Sequence, residues 1–487
     1  MTLDWSQLAA LVLVRLEWTI FIYFLLVNSF YALLLLSAAW EMLKHTREVR
    51  GASRWRILGC RTAPSISILA PAHNEAATIK DSIHSILSLS YPSLEVVVVN
   101  DGSKDETLTV LTEHFTLVPI HPIYRRQIVT KPIRGLYRSR SHPNLLVVDK
   151  ENGGKADALN VGLQMATGDL VCAIDADTLI EPDSLLRMVR PFLLSEDVLA
   201  AGGTIRVVNG SQVRGGRVVI PHPPRQPLAG FQVVEYIRAF LFGRLGWNRL
   251  GGNLIISGAF GLFRREAVIA IGGYAHDTVG EDMELVCRLR RQGYEGKGPQ
   301  RVDFIPDPVA WTEVPGSWRV LGRQRDRWHR GLADTLWRHR RLVFNPRYGA
   351  MGLVVYPYFF FVELLAPVVE ALGLCGLLAG LLTGAINLPF ALLFFLVVYG
   401  YGVALSTFSL VLDEINFHRY GGLVDRLLLV LWTVLEPFGY RQLTVFWRLR
   451  GLVKFWRGRK DWGAMERRGF HSPEKSSTTL ASDRVGG

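Results

Sequence analysis

The alternation of apolar and polar positions divides the chain into three stretches. Residues Trp18 to Trp40 are apolar apart from Thr19, Asn28, Ser29 and Ser37. Such a run is long enough to span hydrocarbon, which takes about 20 residues. Asp4 and Glu17 precede it, no small-residue cleavage site closes it and a basic segment follows, so it predicts a retained helix rather than a signal peptide. From Pro64 to about Leu336 the pattern changes. Ser65–Ala70, Leu94–Asn100, Leu145–Asp149 and Leu170–Asp175 are short Val/Ile-rich runs, each ending in a polar turn, and helical patterns over Ala77–Leu89 and Gly154–Thr167 lie between some of them. That rhythm predicts buried parallel strands of an α/β sheet, whose carboxyl ends are the places where ligands bind. Beyond Arg340 the apolar character returns. Phe359–Leu382 and Leu388–Leu412 predict spans, and Leu427–Phe446 a weaker third, interrupted by Glu436, Pro437, Arg441 and Gln442.

Charge adds an orientation. The net charge is +12, and it is clustered. Lys44, Arg47, Arg50, Arg54, Arg56 and Arg61 follow the first apolar run, and Arg448, Arg450, Lys454, Arg457, Arg459 and Lys460 follow the last. Basic clusters beside apolar helices mark the cytoplasmic face. They accompany no nucleic-acid recognition motif, so nucleic acid is not an expected partner. Three crossings after the α/β stretch would put the basic tail on the wrong side. Either one of those segments lies along the interface, or a further crossing hides in Met351–Leu382. Glu363 and Glu370 lie within the first of these spans, where an ionisable group faces protein, a wet path or the interface. Cys60, Cys172, Cys287 and Cys375 lack metal spacing and fit a reducing compartment. The expected organisation is a transmembrane segment over 1–45, a basic linker over 46–63 and a cytoplasmic α/β domain over 64–335. Interfacial and transmembrane helices follow over 336–446, then a basic tail over 447–487 with a disordered end.

The chemistry-bearing residues fall at the predicted strand ends. Pro71-Ala72-His73-Asn74-Glu75 follows the first strand, where a turn can lay the Glu75 carboxylate against a nucleobase; an ordinary turn and helix cap is the other reading. Asp101, in Asn100-Asp101-Gly102-Ser103, can accept a base N–H, with Gly102 permitting the sharp turn. Gly153-Gly154-Lys155 opens a helix whose first amides, with Lys155, favour a phosphate. It lacks P-loop spacing, and a capped structural helix reads equally well. Asp175 and Asp177 stand one residue apart at a strand end, and a divalent cation relieves their repulsion. Asp282, in Gly280-Glu281-Asp282, is the candidate general base for a hydroxyl acceptor. Ser257-Gly258-Ala259-Phe260-Gly261 reads as a small-residue floor beneath that acceptor or as tight packing. Gln324-Arg325-Asp326-Arg327-Trp328 offers guanidinium forks for a diphosphate and an indole face for a pyranose.

Taken together, P-A-H-N-E, N-D-G-S-K-D, G-K-A-D-A-L-N, D-A-D, G-E-D and Q-R-D-R-W resemble the processive, membrane-integrated family 2 glycosyltransferases, among them cellulose, hyaluronan, chitin and poly-N-acetylglucosamine synthases. The resemblance covers roughly Pro64 to Gly331 and the hydrophobic frame. It implies a GT-A fold, a UDP-sugar donor, Mg²⁺ or Mn²⁺, inversion at the anomeric carbon and a polymer threaded outward. It further implies that Glu75, Asp101 and Asp157 contact uridine, with Lys155 also on the nucleotide-sugar. Asp175 and Asp177 would serve diphosphate and metal, and Asp282 would be the base. Arg327 would hold the pyrophosphate, and Gln324 and Trp328 would meet the acceptor. Asn100 departs from the family's second Asp, and Gly280 from its usual Thr. The expected product is a polysaccharide, the alternative a glycolipid, and a non-catalytic export scaffold the remaining choice. The expected location is the inner (plasma) membrane, multi-pass, with accessory export subunits possible.

Overall fold

A computed structural model describes residues 5–51, 63–121, 124, 126–175, 177–296, 298–384 and 388–459. The readings placed on Arg54, Arg56, Cys60, Arg61, Lys460 and the polar end beyond Ser472 lie outside the described residues.

The Val/Ile runs form strands because β-branched side chains pack well on a sheet covered on both faces. In chain order the strands are β1 (Ile66–Ala72), β2 (Leu94–Asp101), β3 (Leu117–Pro119), β4 (Ile133–Ser139), β5 (Leu145–Lys150), β6 (Leu170–Ala173), β7 (Leu179–Ile180) and β8 (Val198–Val207). They continue with β9 (Gln212–Arg214), β10 (Arg217–Ile220), β11 (Gly261–Arg264) and β12 (Arg301–Thr312). Ten of them make one sheet in the order β3-β4-β5-β2-β1-β6-β11-β8-β12-β7, and β9 and β10 make a separate hairpin. The centre, β5-β2-β1-β6, is parallel throughout, so these strands share one carboxyl edge. β11 enters antiparallel between β6 and β8, which makes the sheet mixed rather than purely parallel. The fold is a mixed α/β sheet domain flanked by long apolar helices.

The helices that matter for the site are α1 (Trp5–Gly51), α2 (Ile79–Leu87), α3 (Lys155–Met165), α4 (Pro227–Ile237), α5 (Glu281–Glu295) and α6 (Trp318–Arg338). The frame continues with α7 (Ala366–Thr383), α8 (Tyr401–Phe417), α9 (Leu423–Leu435) and α10 (Tyr440–Trp456). Among the described residues, three helical stretches are long and apolar enough to cross a membrane: Val14–Val49, Met351–Thr383 and Ala391–Phe417.

The apolar run 427–446 is not one helix. It breaks between α9 and α10, where Gly439 adopts φ 79. α10 packs instead along α6: Gly451 lies against the Asp326 carbonyl, and the Asp326 carboxylate accepts from Arg450 (3.0 Å) and Lys454 (2.5 Å). Arg441, the residue that weakened this run, makes a two-point pair with Glu370 at 3.0 Å. The Arg448 guanidinium lies 3.9 Å from Glu363, which also accepts from Tyr358 at 2.8 Å. The two carboxylates of one apolar stretch thus pair with arginines of α10, one that interrupts the 427–446 run and one just beyond it, as ionisable groups among apolar helices require.

Ion pairs also join the sheet to the frame. Arg206 of β8 pairs with Asp413 of α8, both fully buried. Glu181 accepts from Arg419 at 2.5 and 3.0 Å, and Arg238 reaches Glu436 at 3.2 Å. Breaking one member of such a buried pair is costly because the other stays charged and desolvated.

Candidate active site

The carboxyl edge of the parallel strands carries two clusters, each built on one lysine. In the first, Lys150 at the end of β5 is fully buried, with Nζ 2.5 Å from Asp101 and 3.4 Å from Asp157. Asp101 also accepts from the backbone amides of Gly153 (2.9 Å) and Gly154 (2.8 Å). Asp157 accepts from the Lys131 amide with both oxygens, at 2.9 and 3.1 Å. Gly154 makes this loop possible through φ 88, a conformation that L side chains rarely adopt. Glu75 lies nearby in sequence to β1, its carboxylate accepting from the Thr78 hydroxyl at 2.9 Å as α2 begins. Asn100 donates to Asp149 at 2.7 Å; a second Asp at 100 would set two carboxylates face to face.

The second cluster gathers residues far apart in the chain. Lys155, at the start of α3, sits 2.5 Å from Asp175 and 3.6 Å from Glu281. Asp282 accepts from the Gly258 amide (3.2 Å) and from Met283 N (2.8 Å), which fixes its carboxylate beside the 257–261 turn. Lys155, Ser257, Gly258, Glu281 and Asp282 line one small cavity with Tyr274. Three acidic residues in the first turn of α5 suit the positive end of that helix.

Electrostatics follow from the packing. Burial pulls the Lys155 ammonium down, but Asp175 and Glu281 outweigh it, so its pKa is raised. Burial pushes the Glu281 carboxyl up, with Asp282 adding to the shift and Lys155 opposing it. Arg327 of α6 feels the same three acids: burial lowers its pKa, while Glu281, Asp175 and Asp282 resist. What brings α6 so close is a contact between glycines, since a Cβ on Gly280 would stand 2.9 Å from the Gly331 Cα.

Lys155, Asp175, Asp282 and Arg327 are therefore brought into one cluster, and Asp101 and Asp157 into the neighbouring sealed one. Asp177 is buried two residues beyond Asp175. The Q-R-D-R-W segment divides its labour. Arg325 pairs with Glu235 of α4 at 2.6 Å and covers the Trp328 ring at 4.3 Å, Asp326 anchors α10, and Gln324 is buried. Trp328 keeps a partly exposed ring, and Arg327 alone of the segment's charged residues meets the acidic cluster.

Sequence reasoning missed two participants. Glu281 was passed over in favour of its neighbour Asp282. Arg244 follows α4 and sits over the Phe240 ring at 4.2 Å, with its Nη1 buried and making no hydrogen bond. Burial lowers its pKa to about 10, with Asp282 pulling the other way. An isolated cation within the apolar string A-F-L-F-G-R-L-G-W (239–247) is the signal that marks it.

The donor set fits a divalent cation. Asp175 already holds a cation at 2.5 Å in the form of Lys155, and hard carboxylate oxygens suit Mg²⁺ or Mn²⁺. Among the described residues no three or more His, Cys, Asp or Glu side chains converge as a metal cage. Asp175 and Asp177 are the residues that would hold such an ion, and Mg²⁺ commonly completes its shell with substrate phosphates and water.

Residues 67–272 match Glycosyl transferase family 2, and residues 170–405 match Glycosyl transferase family group 2. Together the two matches run over residues 67–405, and this stretch is similar to the family 2 glycosyltransferases. More particularly, the chain is 28% identical over 295 residues to the poly-beta-1,6-N-acetyl-D-glucosamine synthase of Staphylococcus aureus (strain COL), a match covering 60% of this chain and 61% of that protein. It is also 28% identical over 284 residues to the probable glycosyltransferase YdaM of Bacillus subtilis (strain 168), covering 58% of each. The chain thus spans less than two thirds of either relative. Among solved structures, the mannosyltransferase PcManGT from Pyrobaculum calidifontis, in complex with GDP-Man and Mn2+, aligns with a TM-score of 0.49 at 21% identity, over 82% of this chain and 98% of that one.

Proposed function

We propose that this chain adds sugars from a UDP-sugar to a growing polysaccharide at the membrane and passes the product outward. The observation that carries the reading is the convergence of Lys155, Asp175, Asp282 and Arg327 beside a sheet joined by ion pairs to apolar helices. The similarity to a poly-beta-1,6-N-acetyl-D-glucosamine synthase supports a polymer product.

In this reading Glu75 and the Asp101–Asp157 loop shape the uridine pocket. Lys155 and Arg327 neutralise the diphosphate. Asp282 takes the proton from the acceptor hydroxyl as that oxygen attacks the anomeric carbon from the face opposite UDP, inverting it. Gln324 and the exposed ring of Trp328 meet the acceptor chain. Asp175 and Asp177 would hold a Mg²⁺ or Mn²⁺ ion, which would supply Lewis-acid stabilisation of the diphosphate. Cations fixed before the reaction need little rearrangement as charge builds on the leaving group.

The three candidate spans give a consistent topology. α1 leaves the catalytic domain on the cytoplasmic side, and the next two spans carry the chain out and back. That returns Arg448, Arg450, Lys454, Arg457 and Arg459 to the cytoplasmic face, in keeping with the positive-inside rule. The modest frame, three spans among the described residues, favours a second reading in which the product is a glycolipid.

Membranes incubated with radiolabelled UDP-glucose, UDP-N-acetylglucosamine or UDP-glucuronate separate the two. A polymer appears as high-molecular-weight label on a gel. Label confined to a solvent-extractable lipid would overturn the polymer reading, and no UDP release with any donor would overturn transfer itself.

A further inference from the structure

At the foot of the Met351–Thr383 span lies a cavity of about 410 Å³ that the transfer reaction does not use. Arg291 and Glu295 of α5, Arg338 at the end of α6, and His339, Arg341 and Arg347 in the turns leading to the span supply its charged wall. The site is remote from the acidic cluster: Arg291 lies ten residues along α5 from Glu281, about 15 Å at helical rise.

Four arginines face a single lining carboxylate, and that carboxylate is engaged. Glu295 accepts from the Tyr348 hydroxyl at 2.9 Å and lies 3.7 Å from Arg291. Arg291 also shares a contact with His339 Nδ1 at 3.2 Å, yet its Nε is buried without a hydrogen bond. Arg338 is held by Asp334 and Asp277, both at 2.9 Å. The Arg341 and Arg347 side chains are exposed and have no hydrogen-bond or ion-pair partner among the described residues. Planar guanidinium forks converging on one space suit phosphate oxygens.

The surroundings say how the phosphate arrives: Trp337 and Phe344 adjoin the lining residues Arg338 and Asn345 in the chain, and Trp456 and Phe361 pack on those two rings. Trp337, Phe344, Phe361 and Trp456 all expose more than two fifths of their surface. Phe344 and Phe361 lie 5.8 Å apart, and Trp337 and Trp456 6.2 Å apart. Phe344 is held outward at φ 53, a backbone region unfavourable for a bulky residue. Aromatic rings beside arginines at the end of an apolar helix are the composition of a membrane–water interface.

We propose that this cavity binds the phosphate of an anionic phospholipid, with Arg341 and Arg347 as the exchangeable clamp and the aromatic rim resting among the acyl chains. The inference rests on the membrane reading above, but not on the transfer chemistry.

The test uses the full chain, purified in detergent from nanodiscs containing phosphatidylcholine with or without phosphatidylglycerol. The readout is retained phospholipid by native mass spectrometry, for the wild type and for the Arg341→Ala plus Arg347→Ala variant. The wild type should retain phosphatidylglycerol selectively, and the variant should retain it about tenfold less or weaker still, with UDP binding unchanged. The single variant Arg341→Gln, at an exposed position, should show an intermediate loss. Equal retention by wild type and variants overturns the proposal. A third arm adds inorganic phosphate: if it saturates the site while phosphatidylglycerol fails to compete, the ligand is a soluble phosphate and the lipid assignment falls. Absence of UDP release alongside selective lipid retention would defeat the transferase reading and leave this one standing.

Discussion

The two lysine-centred clusters at the sheet edge use similar parts for different ends. Around Lys150, Asp101 is closed off by backbone amides and Asp157 by Lys131 N, and the lysine has no exposure. Around Lys155, the lysine side chain keeps 19% and Asp175 32% of their exposure, and Asp282 faces the same small cavity. Sealed charges with fixed donors hold a loop in one shape. Charges with an open side can exchange partners when a diphosphate arrives. The difference is one of solvent access, since both clusters pair a lysine with carboxylates, and the open one adds Arg327.

Five substitutions would break or sharpen that contrast. The largest effect on rate belongs to the open cluster: Asp282→Asn should lower turnover by about 10²–10⁴-fold while UDP binding, read by calorimetry, survives. Next comes the sealed cluster. Asp101→Ala leaves Lys150 buried with Asp157 as its remaining charged partner, so it should cost about 3–5 kcal/mol of stability in denaturant unfolding. Asp175→Ala, at a more exposed site, should cost clearly less; equal losses would erase the distinction between the clusters. Gly280→Thr introduces a side chain against the Gly331 backbone and should destabilise by about 1–3 kcal/mol. It should also slow turnover by moving α6, and with it Arg327, away from the acids. The smallest effect is in pH dependence. Glu281 has a raised pKa, so its folded form holds a proton more tightly than the unfolded chain does. That contribution is full below the ordinary carboxylate range and is lost as pH rises through the raised value. Glu281→Gln should therefore lose less stability than the wild type on going from acid to neutral pH, and parallel pH profiles would contradict the assignment.

Much of this was legible in the chain because strand ends announce themselves. A Val/Ile run followed by a polar turn locates a strand and its carboxyl edge together, which places Asp101 and Asp175, while Lys155 is read from the glycine pair that opens its helix. Partner choice was not legible. Nothing in Q-R-D-R-W tells that Arg325 turns to Glu235 and Asp326 to Arg450 and Lys454, because those partners come from α4 and α10. The same limit applied to the C-terminal helices, where Glu370 and Arg441 each looked misplaced until paired. Hydropathy weighs each window alone, whereas a buried charge is settled by another segment. Arg244 was hidden for a related reason: Asp282, whose charge it feels, lies far along the chain from the segment after α4.

The central claim is that residues from distant parts of the sequence act as a single reacting unit. A double-mutant cycle on Asp282→Asn and Arg327→Ala, read as UDP release in membranes, tests it most directly. If both groups serve the same transition state, the double variant will be scarcely slower than the slower single variant. Two losses that simply multiply would show that the residues act independently, and the shared site would have to be abandoned.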